Sequence, residues 1–151
     1  MPLFGFSGGA GAVEEKIVAM AMMTETQQAS SGAENHIQFD KFYVNKGNFT
    51  MEGSKIYVPK SGFYRIYGRV LAQGGNDRRE TIIAVNDTYV ANSIEQAKTG
   101  DFFDTKVHAF VKLNQGDYVE LLFEHMVGGD ITVFGLDNVL ATILVIEKVS
   151  D

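Results

Sequence analysis

The 151-residue chain contains no cysteine. That absence removes disulfide frameworks, thiolate metal sites and cysteine nucleophiles together. It leaves the compartment open, because a cysteine-free protein is indifferent to redox conditions. Proline is scarce as well, two residues against sixteen glycines, which favours many turns over stiff linkers. No Lys or Arg precedes residue 16, and the apolar run 17–23 ends at once in Thr24 and Glu25. A secretory signal needs a positive start, so none is expected. The sequons at Asn48 and Asn86 then read as chance occurrences. No stretch approaches the ~20 apolar residues of a membrane-spanning helix. Basic residues are outnumbered, 13 Lys/Arg against 19 Asp/Glu for a net charge of −6. A phosphate-neutralising stripe is missing, so no nucleic-acid partner is expected, and no membrane insertion or attraction to an anionic membrane.

What is present is strand after strand. Apolar content is 45% and charged content 21%, enough for one domain with a substantial core. Short apolar or alternating runs cover 16–24, 36–44, 47–58, 62–73, 80–87, 88–94, 102–113, 118–126 and 139–149, separated by Gly-, Asn- and Asp-containing turns. No amphipathic helix or internal repeat interrupts them. Residues 1–15 differ: Leu3, Phe4 and Phe6 stand among glycines, the pattern of a docking arm that orders on a partner rather than building a core. Residues 16–151 form the globular domain.

Three strands have two apolar faces. In 62–73 the even side, Tyr64, Ile66 and Val70, suits a core, yet the odd side carries Phe63, Arg65, Tyr67 and Arg69. In 102–113 His108 and Phe110 stand on the face opposite Val107 and Val111, and in 139–149 Ile143 and Val145 oppose Leu144 and Ile146. The strand 118–126 instead reads as half-buried, with Glu120, Leu122 and Glu124 on a charged outer face. If the two-faced strands share a sheet, its outer face needs a cover, and with no helix available the cover is another copy of the chain.

The segments "VPKSGFYRIYGRV" (58–70) and "VKLNQGDYVELLF" (111–123) resemble the Pro-x-x-Gly-x-Tyr strand and the Leu-x-x-Gly-Asp-x-Val-x-Leu hairpin of the globular-head superfamily shared by tumour necrosis factor and the complement q component. Leu113, Gly116, Asp117, Val119 and Leu121 match the second motif. The resemblance spans about residues 16–149 and implies an all-β, antiparallel jelly-roll sandwich of about ten strands that assembles as a homotrimer and acts by binding. In that superfamily the sheet holding the Tyr-bearing strand and the last strand faces the three-fold axis. The expected trimer interface is therefore Phe63, Arg65, Tyr67, Arg69, His108, Phe110, Ile143 and Val145.

No collagen-like repeat is present, which points away from complement and toward a bacteriophage protein made in the host cytoplasm. The expected function is a capsid decoration or cement protein on the virion surface. Its arm (Leu3, Phe4, Phe6) would dock on the major capsid or another virion protein. The alternative is a receptor-binding tip that reads a host surface glycan or protein through loops 74–79 and 127–138. No enzyme, cofactor or metal is expected. The histidines His36, His108 and His125 lack ligand spacing. The acidic residues Asp77, Glu80, Asp130 and Asp137 read as solvated loop charge rather than a calcium array. No serine sits in a nucleophile elbow.

Overall fold

A computed structural model describes residues 15–151, and among them every regular element is a β-strand. In chain order these are β1 (Val18–Met22), β2 (Gln27–Ala29), β3 (Asn35–His36), β4 (Lys41–Lys46), β5 (Thr50–Glu52), β6 (Lys55–Tyr57) and β7 (Gly62–Ala72). There follow β8 (Arg78–Val85), β9 (Thr88–Gln96), β10 (Phe103–Leu113), β11 (Tyr118–His125), β12 (Ile131–Val133) and β13 (Ile143–Ser150). They form two antiparallel sheets. The first runs β2-β12-β7-β13-β1-β4 with β10 on the other side of β7, and the second runs β5-β6-β11-β8-β9 with β3 on β11.

The alternation of β7 decides how the sheets meet. Tyr64, Ile66, Val70 and Ala72 are fully buried, and across the sandwich they join Ile83, Val119, Leu121 and Phe123 of β8 and β11. Successive residues of a strand point to opposite faces, so burying one set turns the odd set outward. A hydroxyl pair also crosses the core: Thr81 Oγ1 donates to Thr105 Oγ1 at 2.5 Å, with both residues almost completely buried. At the β10–β11 turn Gly116 has φ +91°, and Asn114 donates its backbone N–H to Asp117 Oδ2 at 2.7 Å. Asn86 and Asp87, both at positive φ, make the two-residue turn between β8 and β9, the geometry that best matches strand twist.

The structure differs from the sequence reading in five places. The run 36–44 is two strands, because Asp40 leaves the ladder and its carboxylate accepts hydrogen bonds from Thr24 N–H and Oγ1. The loops after β1 and β11 contain β2 and β12, which pair with one another; these pieces bring the count to thirteen. The outer side of β11 is not a charged solvent face. Glu120 and Leu122 are buried, Leu122 in a small cluster with Ile82 and Ala84. Finally, Asp77 is not solvated: it is buried, pairs with the fully buried Arg79 at 3.3 Å, and accepts the Met126 N–H. Glu80 lies within β8 rather than in a loop.

Candidate assembly face

Residues directly opposite in an antiparallel pair share a face, so the register of the first sheet fixes its outer surface row by row. One row is His108, Tyr67, Val145, Met20 and Val44, across β10, β7, β13, β1 and β4. The next is Lys106, Arg69, Ile143, Met22 and Lys41, and on the other side lies Phe110, Arg65, Glu147, Val18 and Lys46. All eight residues expected at an interface, Phe63 included, thus stand on one sheet face. Among the described residues no strand or helix is laid over it.

Their environments differ. Phe110 is 62% exposed and Phe63 36%, and their rings stack with centroids 6.0 Å apart. Tyr67 leans on the His108 ring, centroids 4.9 Å apart. Arg65 reaches Glu147 at 3.6 Å but stays mostly in solvent. Arg69 is committed within the chain. It donates to Asp104 Oδ2 at 3.2 Å and to the carbonyls of Leu140 and Ala141 at 3.2 and 3.0 Å. Ile143 is 8% exposed in the single chain, so little of its surface is left for a neighbour.

The sequence reading missed Met20 and Val44, which lie on the same face. The signal was the even set of 17–23, Met20 and Met22, alternating with Ala19 and Ala21. Charge on the face is lopsided. Its rows carry Arg65, Arg69, Lys106, Lys41, Lys46 and, beside Phe63, Lys112 against Asp104 and Glu147, with Asp137 reaching Lys41 at 3.6 Å, in a chain that is acidic as a whole. Burial alone would raise the Asp104 carboxyl, but hydrogen bonds from Lys106 and Arg69 outweigh it and hold the group below its ordinary 3.8.

The arm residues Leu3, Phe4 and Phe6 lie outside the described residues. The chain that follows them enters beside the Phe63 end of the face, where Ile17 O accepts the Lys148 N–H and Ser150 pairs with Phe63. A hollow of about 300 Å³ lies there between Lys16, Ile17, Glu147 and Ser150. The loop ends proposed for recognition also meet: Gly75 packs near Val127, and Met126 and Val127 are exposed. Ser54 donates to Glu120 rather than to a histidine.

No protein-family model matches the chain, and no curated protein does. Solved structures do. Murine APRIL at pH 5.0 superposes with a TM-score of 0.70 over 90% of this chain and 100% of its own, at 13% identity. Eiger TNF from S. frugiperda gives 0.67 over 91% of this chain and 95% of its own, at 14% identity. At such identity the likeness speaks to the backbone path, and it extends over nearly the whole described chain. The chain has the jelly-roll fold of the tumour necrosis factor-like globular heads.

Proposed function

We propose that the chain is a non-enzymatic homotrimer that decorates the surface of a virus particle. The observation that carries the assembly is the uncovered face of the first sheet: stacked Phe63 and Phe110, Tyr67 on His108, and apolar Val145, Met20 and Val44 between cations. Aromatics and arginine are what interface centres favour. The excess of positive charge argues against two copies meeting face to face by this surface, since like charges would be buried together. It favours a heterologous contact, in which the face meets a different, acidic surface of the next copy and three copies close a ring. The virion assignment rests on the Phe/Gly composition of residues 1–15, which would dock on a capsid protein while the heads face outward. Virion surface is the corresponding location.

A second reading has its own support. The exposed Met126 and Val127, beside the 74–79 loop, offer a tip at which a host surface glycan or protein would bind. Mass measurement in solution tests the first claim. The expected result is a trimer at micromolar concentration, and Tyr67→Ala with Phe110→Ala should give monomers of unchanged circular dichroism. A stable wild-type monomer overturns it. Deleting residues 1–12 should abolish particle attachment while the trimer persists. Host-cell binding by arm-less heads supports the second reading instead.

A further inference from the structure

The second sheet carries a connected set of polar side chains that the assembly face does not use. Ser54 Oγ donates to Glu120 Oε2 at 2.6 Å, and His36 Nδ1 lies 2.6 Å from the same oxygen. The other ring nitrogen, His36 Nε2, is 3.4 Å from Glu34 Oε1, and the Tyr89 hydroxyl donates to Glu34 Oε2. The Glu120 side chain is 2% exposed, whereas His36 and Glu34 are 40% and 42% exposed. A buried carboxylate thus holds one side of an imidazole whose other side opens to solvent beside a second carboxylate.

We propose that His36 Nε2 and Glu34 form an open site for a divalent transition-metal ion of the zinc type, with Glu120 and Tyr89 as positioning residues. Metal-binding histidines characteristically give their second ring N–H to a carboxylate, which fixes the ring and makes the free nitrogen a better donor. Glu120 does this for His36, and Ser54 holds Glu120 in place. Tyr89 does the same for Glu34, leaving Oε1 turned to the imidazole. Two ligands about 2.0–2.2 Å from a tetrahedral zinc stand roughly 3.3–3.5 Å apart, and the observed separation is 3.4 Å.

The backbone under the pair is fixed in advance. Gln27 Nε2 donates to His36 O at 2.8 Å, and Asn35 Nδ2 donates to the carbonyls of Ser30, Ala33 and Phe123. Among the described residues no three His, Asp or Glu converge into a complete cage. Water therefore completes the coordination, and imidazole with carboxylate suits zinc among the available ions. The competing arrangement is a protonated His36 held between two carboxylates with no metal.

Zinc chloride titrated calorimetrically into the full chain at pH 7.5, with cobalt absorption as a second readout, separates the two. One ion per chain is expected. His36→Ala should remove it and Glu34→Gln weaken it at least tenfold. Glu120→Gln should weaken it by about 10–100-fold at unchanged stoichiometry, the usual effect of losing an orienting partner. His108→Ala should leave it unchanged. Absence of saturable binding at millimolar zinc overturns the proposal. So does binding that is undiminished in His36→Ala or Glu34→Gln, or that is lost in His108→Ala. None of these outcomes depends on whether the chain is trimeric.

Discussion

Replacing Gly68 with alanine would put a methyl group between the two sheets, against Leu121 of β11. Its Cβ would stand 2.5 Å from Leu121 Cδ1 and 3.3 Å from Val107 Cγ1, against the roughly 3.5–4.0 Å of a relaxed carbon contact. Leu121 is fully buried, so its methyl must move by about 1 Å inside a closed core. Overpacking of this kind costs about 1–3 kcal/mol. Alanine recovers roughly 0.5–1 kcal/mol through its smaller conformational entropy loss. The net expectation is a loss of about 0.5–2 kcal/mol. Leu121→Ala alone should cost about 2–5 kcal/mol through the cavity it leaves. In that background only the milder 3.3 Å approach to Val107 remains and the Gly68→Ala methyl fills part of the void, so the same substitution should become stabilising. The assay is urea unfolding of the four variants at one protein concentration, reading midpoints at constant slope. Additivity, with Gly68→Ala equally destabilising in both backgrounds, would refute the claim that Leu121 sets the limit at this glycine.

Two further outcomes follow from polar pairs, one buried and one partly exposed. Thr105→Val removes the partner of the Thr81 hydroxyl in the core and should cost about 1–3 kcal/mol, the range for a stranded buried polar group. Thr81→Val with Thr105→Val should cost less than the two singles summed, a coupling that melts of the four proteins reveal. The Asp104 carboxyl has a folded pKa below its unfolded value of about 3.8, so its contribution is complete above that value and disappears as pH falls through the lower one. Asp104→Asn should accordingly be less stable than the parent at pH 7, with the gap closing in acid. A gap that is constant from pH 7 to 2 would mean that packing, not charge, separates the two.

The strand that enters the core was readable because β7 is long and strictly alternating. The eight residues of the outward face could be grouped because each sits on a strand with a second face that a lone sandwich cannot bury. Glu120 was misread for the same reason: alternation placed it outward, correctly, and outward was equated with solvent. Its partners come from far along the chain, His36 on β3 and Ser54 in the β5–β6 turn, and nothing in the β11 sequence announces them. Arg79 and Asp77 are another such case, two charges that look like loop decoration but are enclosed between the Phe103 and Phe123 rings and the 126–127 backbone. The segment Ile131–Val133 was too short to show a period, and its strand exists only because β2 and β7 supply the ladder.

The position of β13 has a consequence for how the molecule is made. It is the latest strand in the sequence, yet it sits between β7 and β1, and its partners include Val18, near the start of the described chain. Until it is in place the first sheet has a gap one strand wide, bounded by two open edges. Such edges accept any strand of matching pattern, including β13 of another copy. Exchange of that strand between neighbouring chains is the misassembly to which this fold is most exposed, and crowding many copies together during synthesis would promote it.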